Sequence, residues 1–184
     1  MRSLILIAVS AAFLLLAGYT LTRPEAPPVF GQVPDFSLMN FDGMELTKAS
    51  LAQKNWLINF FFTSCPKICP ATSARLRELA EEMRTRPDFA ILSISVDPER
   101  DDLAALNAYH ARFAPADVVW NFARADAGRI EALEHGLMVE GGDSAELHSG
   151  RIILIDKLGQ IRGYFRAEDQ EDLETLRDIL PRLD

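Results

Sequence analysis

Residues 56–70 read WLINFFFTSCPKICP. The first seven form an apolar, aromatic-rich run, the character of a strand buried at the centre of a sheet. A helix follows from about residue 70 to 84, with Ala74, Leu76, Leu79, Ala80 and Met83 near helical spacing. Cys65 and Cys69 therefore fall between a central strand and a helix N-terminus, where an α/β sheet forms its crevice. The dipole and free N–H groups of a helix start favour thiolate over thiol. Residues four apart share one helix face, so both sulfurs can address a single point. Pro66 suits a first turn, whereas Pro70 removes a helical hydrogen bond to Pro66 and predicts an irregular start. Two soft thiolates select Cu(I), zinc or iron–sulfur chemistry.

Working outward, Asp42-Gly43 marks a hairpin between residues 34–38 and 44–47. Residues 89–96, FAILSISV, predict a second buried strand, and residues 101–113 a helix capped by Asp97 or Asp101, with Pro98 near its first turn. A strand over 118–122 precedes a helix over 126–135 that Gly136 is expected to stop. Residues 151–156 and 161–165 predict a second hairpin, and 168–180 the last helix. The order is hairpin, β, α, β, α, β, α, β-hairpin, α. It predicts a mixed central sheet flanked by helices. Other α/β folds share that order; the placement of the cysteines decides for a thioredoxin-like fold.

The chain of 184 residues is long enough for one domain with a real core, and it carries a formal charge of −8. That charge argues against a nucleic-acid partner and against attraction to an anionic membrane surface. Residues 4–21, LILIAVSAAFLLLAGYTL, are uncharged and lie between Arg2 and Arg23. As a helix they span about 27 Å, close to the hydrocarbon thickness. Ala17-Gly18 is a weak cleavage site, and Tyr19 stands where a lipoprotein signal would carry cysteine. The expectation is an uncleaved single transmembrane anchor over 1–22, a proline-bearing linker over 23–32 and a thioredoxin-like domain over 33–184. A cleaved export signal is the alternative, and either way the domain is exported.

The two cysteines are too close in sequence to clamp distant parts of the chain, so chemistry is the better reading than framework. A metal held by them needs a further ligand, and the chain has three histidines. His110 reads as a helix-face residue and His135 as a helix-end residue that favours the dipole. His148 ends a polar loop over 138–149, just before the strand at 151. A lone loop histidine is ordinarily solvated, but loops before this strand border the cysteine helix in thioredoxin folds, which favours a ligand.

The segments FTSCPKICP (62–70), SVDPERDD (95–102) and ELHSGRIILID (146–156) resemble the signature blocks of the Sco/SenC family of copper-site assembly proteins. The likeness runs from about residue 33 to 181. It implies that Cys65, Cys69 and His148 bind copper, and that the chain helps build the dinuclear copper centre of a haem–copper (cytochrome c) oxidase. The implied partners are the copper-centre subunit of that oxidase, with another copper chaperone or a thioredoxin-like reductant as further candidates. The apolar run over 4–21 gives the expected place as a bacterial inner membrane, with the domain in the periplasm or otherwise outside the cytoplasm. Asp97 matches a family acidic position near the site; its other reading is a helix cap. Ser64 and Lys67 depart from the family, which often carries histidine and aspartate there.

The main rival is a thiol–disulfide oxidoreductase that reduces the copper-ligand cysteines of the oxidase subunit. Against it, the spacing is CxxxC, and Leu147-His148-Ser149-Gly150 stands where thioredoxins carry a cis-proline. A peroxidase of the peroxiredoxin type usually needs threonine three residues before its cysteine, and Phe62 is there.

Overall fold

The computed structural model describes residues 27–137 and 150–183. Within them the strands are β1 (Gly31–Gln32), β2 (Ser37–Asn40), β3 (Glu45–Thr47), β4 (Asn55–Phe61), β5 (Phe89–Ser95), β6 (Val119–Arg124), β7 (Arg151–Ile155) and β8 (Gln160–Arg166). The helices are α1 (Ile68–Met83), α2 (Leu103–Phe113), α3 (Ala127–Leu137) and α4 (Gln170–Ile179). The strands form one mixed sheet in the order β1-β8-β7-β4-β5-β6-β2-β3.

Every residue of β4 and β5 is buried, as their uninterrupted apolar character requires. The two run parallel with Trp56 opposite Ala90, and β5 is parallel to β6 in turn. Alternate side chains of β4 therefore enter two cores. Leu57 and Phe61 pack with Leu76 and Leu79 of α1, Leu106 and Tyr109 of α2, and Leu173 and Leu176 of α4. Trp56, Ile58 and Phe60 pack with Leu133 and Leu137 of α3 on the other face. Both parallel crossovers thus put their helices on one face, as a constant crossover hand demands. The chain then returns across the other face through α3 to β7, which lies antiparallel beside β4. This layout leaves the β4–α1 junction at the middle of the sheet.

Four local expectations are corrected or extended. The strand Gly31–Gln32 pairs with β8, so the sheet takes in the last two residues of the span read as linker. The N-cap of α2 is Asp102, which accepts the Ala105 N–H at 2.8 Å, in place of Asp97 or Asp101. Pro98 lies ahead of α2, in a turn in which the Asp97 carbonyl accepts the N–H groups of Arg100 and Asp101. Gly136 does not stop α3, which continues to Leu137.

Gly136 is there because α3 passes close to Pro34: a Cβ on it would lie 2.5 Å from Pro34 Cγ. Gly136→Ala is therefore expected to lower stability. Alanine's helix preference, about 1 kcal/mol, is outweighed by overpacking against a rigid ring, about 1–3 kcal/mol. A urea midpoint that stays level or rises would contradict this packing account.

Among the described residues no helix is long and apolar enough to cross a membrane. The expected anchor over 1–22 and the loop 138–149, with His148, lie outside them.

Candidate metal centre

Strand β4 ends at Phe61, whose carbonyl still accepts the Val96 N–H at 2.9 Å. The chain then turns tightly, the Cys65 N–H reaching the Phe62 carbonyl at 3.2 Å, and α1 starts at Ile68. Lys67 occupies the N-cap and gives no side-chain cap. The orphan N–H groups of a first helical turn must find acceptors. Here the acceptor is sulfur: Cys69 N–H points at Cys65 Sγ at 3.3 Å, and Lys67 and Ile68 add their N–H groups. Pro70, the third helical residue, has no N–H to satisfy, so the proline costs this turn nothing. The irregular start predicted from the sequence is this sulfur-capped turn.

The two thiols are free and in contact with each other. Burial acts to raise the Cys65 pKa, but the Cys69 thiol and the N–H groups of Cys69, Lys67 and Ile68 outweigh it, and the net shift is down. Cys69 is pushed up to about 12, by burial first and then by the hydrogen bond it donates to Cys65. Cys65 is thus the more acidic thiol of the pair and Cys69 the one that holds its proton. In the metal-free reduced protein, iodoacetamide near neutral pH is expected to label Cys65 before Cys69, since the thiolate is the nucleophile. Peptide mapping that found Cys69 labelled first would reverse these assignments.

Both cysteines are nearly buried, 7% and 5% exposed, while Ser64, Pro66, Lys67 and Ile68 form an exposed rim. Beneath them Tyr109 packs on Phe61 at 4.9 Å, its hydroxyl 3.3 Å from that of Ser73. The Tyr109 pKa is raised to about 12, chiefly by burial, with the two nearby sulfurs adding to it. The floor is therefore a buried, neutral phenol.

Gly150 packs beside this helix start. It has φ +83°, and a Cβ on it would lie 2.9 Å from Thr72 Oγ1 and 3.5 Å from Ile68 Cγ1. Its carbonyl accepts the Ala167 N–H at 3.0 Å. Gly150, the residue before β7, thus packs against the first turns of α1.

The other sequence candidates lie as follows. Asp97 pairs with Arg100 at 2.9 Å, and its N–H donates to Ser95 Oγ at 3.1 Å. His110 stacks on Phe41, ring centres 3.9 Å apart, and burial lowers its pKa. His135 is exposed, 4.0 Å from Glu131. Among the described residues, no group of three histidine, cysteine or acidic side chains comes together to hold a metal. Sequence reasoning missed Asp101, taken only as a helix start; it is fully buried and bonded to Thr63, beside the cysteine turn.

The dithiol thus caps the helix that follows the central strand, beside the entry to β7. The SCO1/SenC family model matches residues 27–181. The chain belongs to the SCO1/SenC family. Among solved relatives, this SCO1/SenC chain is similar to a SCO1/SenC family lipoprotein of Bacillus anthracis. The TM-score is 0.72 at 24% identity, over 85% of this chain and 96% of that one. It is also similar to ScoI of Bradyrhizobium japonicum, solved with copper bound, with a TM-score of 0.64 at 25% identity, over 81% and 99% of the two chains. The SCO1 protein homolog of Bacillus subtilis is 33% identical over 96 residues, 52% of this chain. That match spans 50% of the Bacillus subtilis protein's length.

Proposed function

We propose that this chain is a copper chaperone that holds copper through Cys65, Cys69 and His148 and helps assemble the dinuclear copper centre of a haem–copper oxidase. Copper is its cargo. Two sulfurs in contact, one of them with a lowered pKa, suit a soft ion such as Cu(I). The observation that carries the reading is Gly150 packed on Ile68 and Thr72. His148 is two residues upstream of Gly150, and two residues of chain extend at most about 7 Å. In this reading the imidazole of His148 supplies the nitrogen donor that Cu(II) favours. Membership of the SCO1/SenC family and the copper-bound Bradyrhizobium japonicum relative support the same assignment.

The second reading, a dithiol reductase of the oxidase's copper-ligand cysteines, is favoured by the lowered pKa of Cys65, which suits an attacking thiol. An assay of oxidase copper-centre assembly in cells lacking the protein separates the two. Rescue by added copper supports delivery. Rescue by a small-molecule reductant and never by copper would replace delivery with dithiol exchange.

Residues 4–21 are read as the anchor that keeps the domain on the exported side of a bacterial inner membrane. Alkaline extraction of membranes is expected to leave the protein in the pellet. Full release, with a mature N-terminus beyond Tyr19, would show a cleaved signal instead.

A further inference from the structure

We propose that Asp101 is a positioning residue for the dithiol: its buried carboxylate grips the turn that presents Cys65. The inference rests on the reading of Cys65 and Cys69 as the working pair and deepens it. Asp101 has no exposed surface. Its oxygens accept the Thr63 N–H at 3.0 and 3.3 Å, the Thr63 hydroxyl and the Ser95 hydroxyl. Thr63 is the second residue of the Phe62–Cys65 turn, and Ser95 is the last residue of β5. The backbone of Asp101 is itself fixed, its N–H on the Asp97 carbonyl at 2.9 Å and its carbonyl on Arg124 Nη1 at 3.0 Å. Arg124 ends β6. One residue thereby ties the carboxyl ends of β5 and β6 to the turn leaving β4.

A helix cap does not explain this burial, because α2 is already capped by Asp102. A carboxylate taken out of water is costly unless donors surround it. Three donors converge here, and two of them belong to Thr63 in the cysteine turn. A site needs its reacting groups held within about half an ångström, and the Asp101 carboxylate fixes the start of this turn while the Cys69 N–H meets its end at Cys65 Sγ. The carboxylate holds Thr63, the turn holds Cys65 Sγ under the N–H groups of α1, and the reduced pair stays in its receptive arrangement.

The test uses the full-length protein and the variants Asp101→Asn, Thr63→Val and Thr63→Ser. Leu133→Ala, a core truncation on the opposite face of the sheet, serves as a stability-lowering control. The first measurement is equilibration with glutathione. Two glutathione thiols pass two electrons and two protons to the Cys65–Cys69 disulfide, whose S–S bond breaks to two thiols, and one glutathione disulfide leaves. Asp101→Asn is expected to shift this equilibrium about tenfold toward the protein disulfide, or about 30 mV. Thr63→Val should shift it about threefold, while Thr63→Ser and Leu133→Ala stay at the unaltered value. The second measurement is the thiolate-to-Cu(II) absorption band, expected to move in Asp101→Asn and Thr63→Val only. An unmoved equilibrium in Asp101→Asn overturns the proposal, as does an equal movement in Leu133→Ala or a Thr63→Ser that behaves like Thr63→Val. Should Asp101→Asn fail to fold, the two Thr63 variants decide. Should the unaltered protein take up no copper, the copper reading fails while the glutathione measurement still judges Asp101.

Discussion

Cys65→Ser and Cys69→Ser are each expected to abolish copper binding by the reduced protein, and to about the same extent. A hydroxyl at either position leaves a single thiolate, and one sulfur does not hold a soft ion in competition with cellular thiols. The fold should survive, because serine is close in volume to the cysteine it replaces at either buried position. Oxidation should act like the double substitution. The two sulfurs are already in contact, so an exported compartment can join them as a disulfide, which offers no thiolate. Bound copper should in turn protect both thiols from alkylation, since ligated thiolates are not free to attack. A reductase built on the same pair would behave differently. Its two serine variants would be unequal, because one cysteine attacks and the other resolves. Copper retention measured by metal analysis after desalting checks the point. Retention in either single variant, or in the disulfide form, would remove the dithiol from the binding site.

His148→Ala is expected to weaken Cu(II) binding by about 100-fold or more, with a much smaller loss for Cu(I). Changes to the partners of metal ligands alone cost about 10–100-fold, so losing a ligand should cost at least the upper end. Two thiolates can hold Cu(I) in a linear arrangement, whereas Cu(II) prefers more ligands with nitrogen among them. His110→Ala and His135→Ala should leave the copper content unchanged, since His110 is committed to its stack on Phe41 and His135 lies beside Glu131 on the surface. Competition titrations with chelators of each oxidation state give the comparison. Equal losses for Cu(I) and Cu(II), or no loss at all, would contradict the role given to His148.

The strand and helix order was legible because burial imposes periods that a sequence displays. The short aromatic-rich run 56–62 is consistent with a central strand, and the structure buries all of β4. The cysteine turn was legible too, since strand, proline and helix spacing are local. What escaped depends on contacts between distant segments. Gly136 carries the local signal of a helix stop, but its meaning comes from Pro34, which packs against α3. Three aspartates fall within SVDPERDD, and charge alone does not distinguish them. Burial separates Asp101, held by Thr63 and Ser95, from Asp97 on Arg100 and Asp102 on the end of α2. The strand Gly31–Gln32 is too short for any period and follows a proline pair, so only its pairing with β8 reveals it.

The central claim, that the dithiol and His148 form a copper site, is tested most directly by titrating the reduced protein with copper under absorption and EPR spectroscopy. The account predicts uptake of about one copper per chain. With Cu(II) it predicts a cysteine–Cu(II) charge-transfer band and an EPR signal with nitrogen among the ligands, both absent from the disulfide form. A reduced protein that takes up no copper, or whose Cu(II) signal lacks the thiolate band, would contradict it.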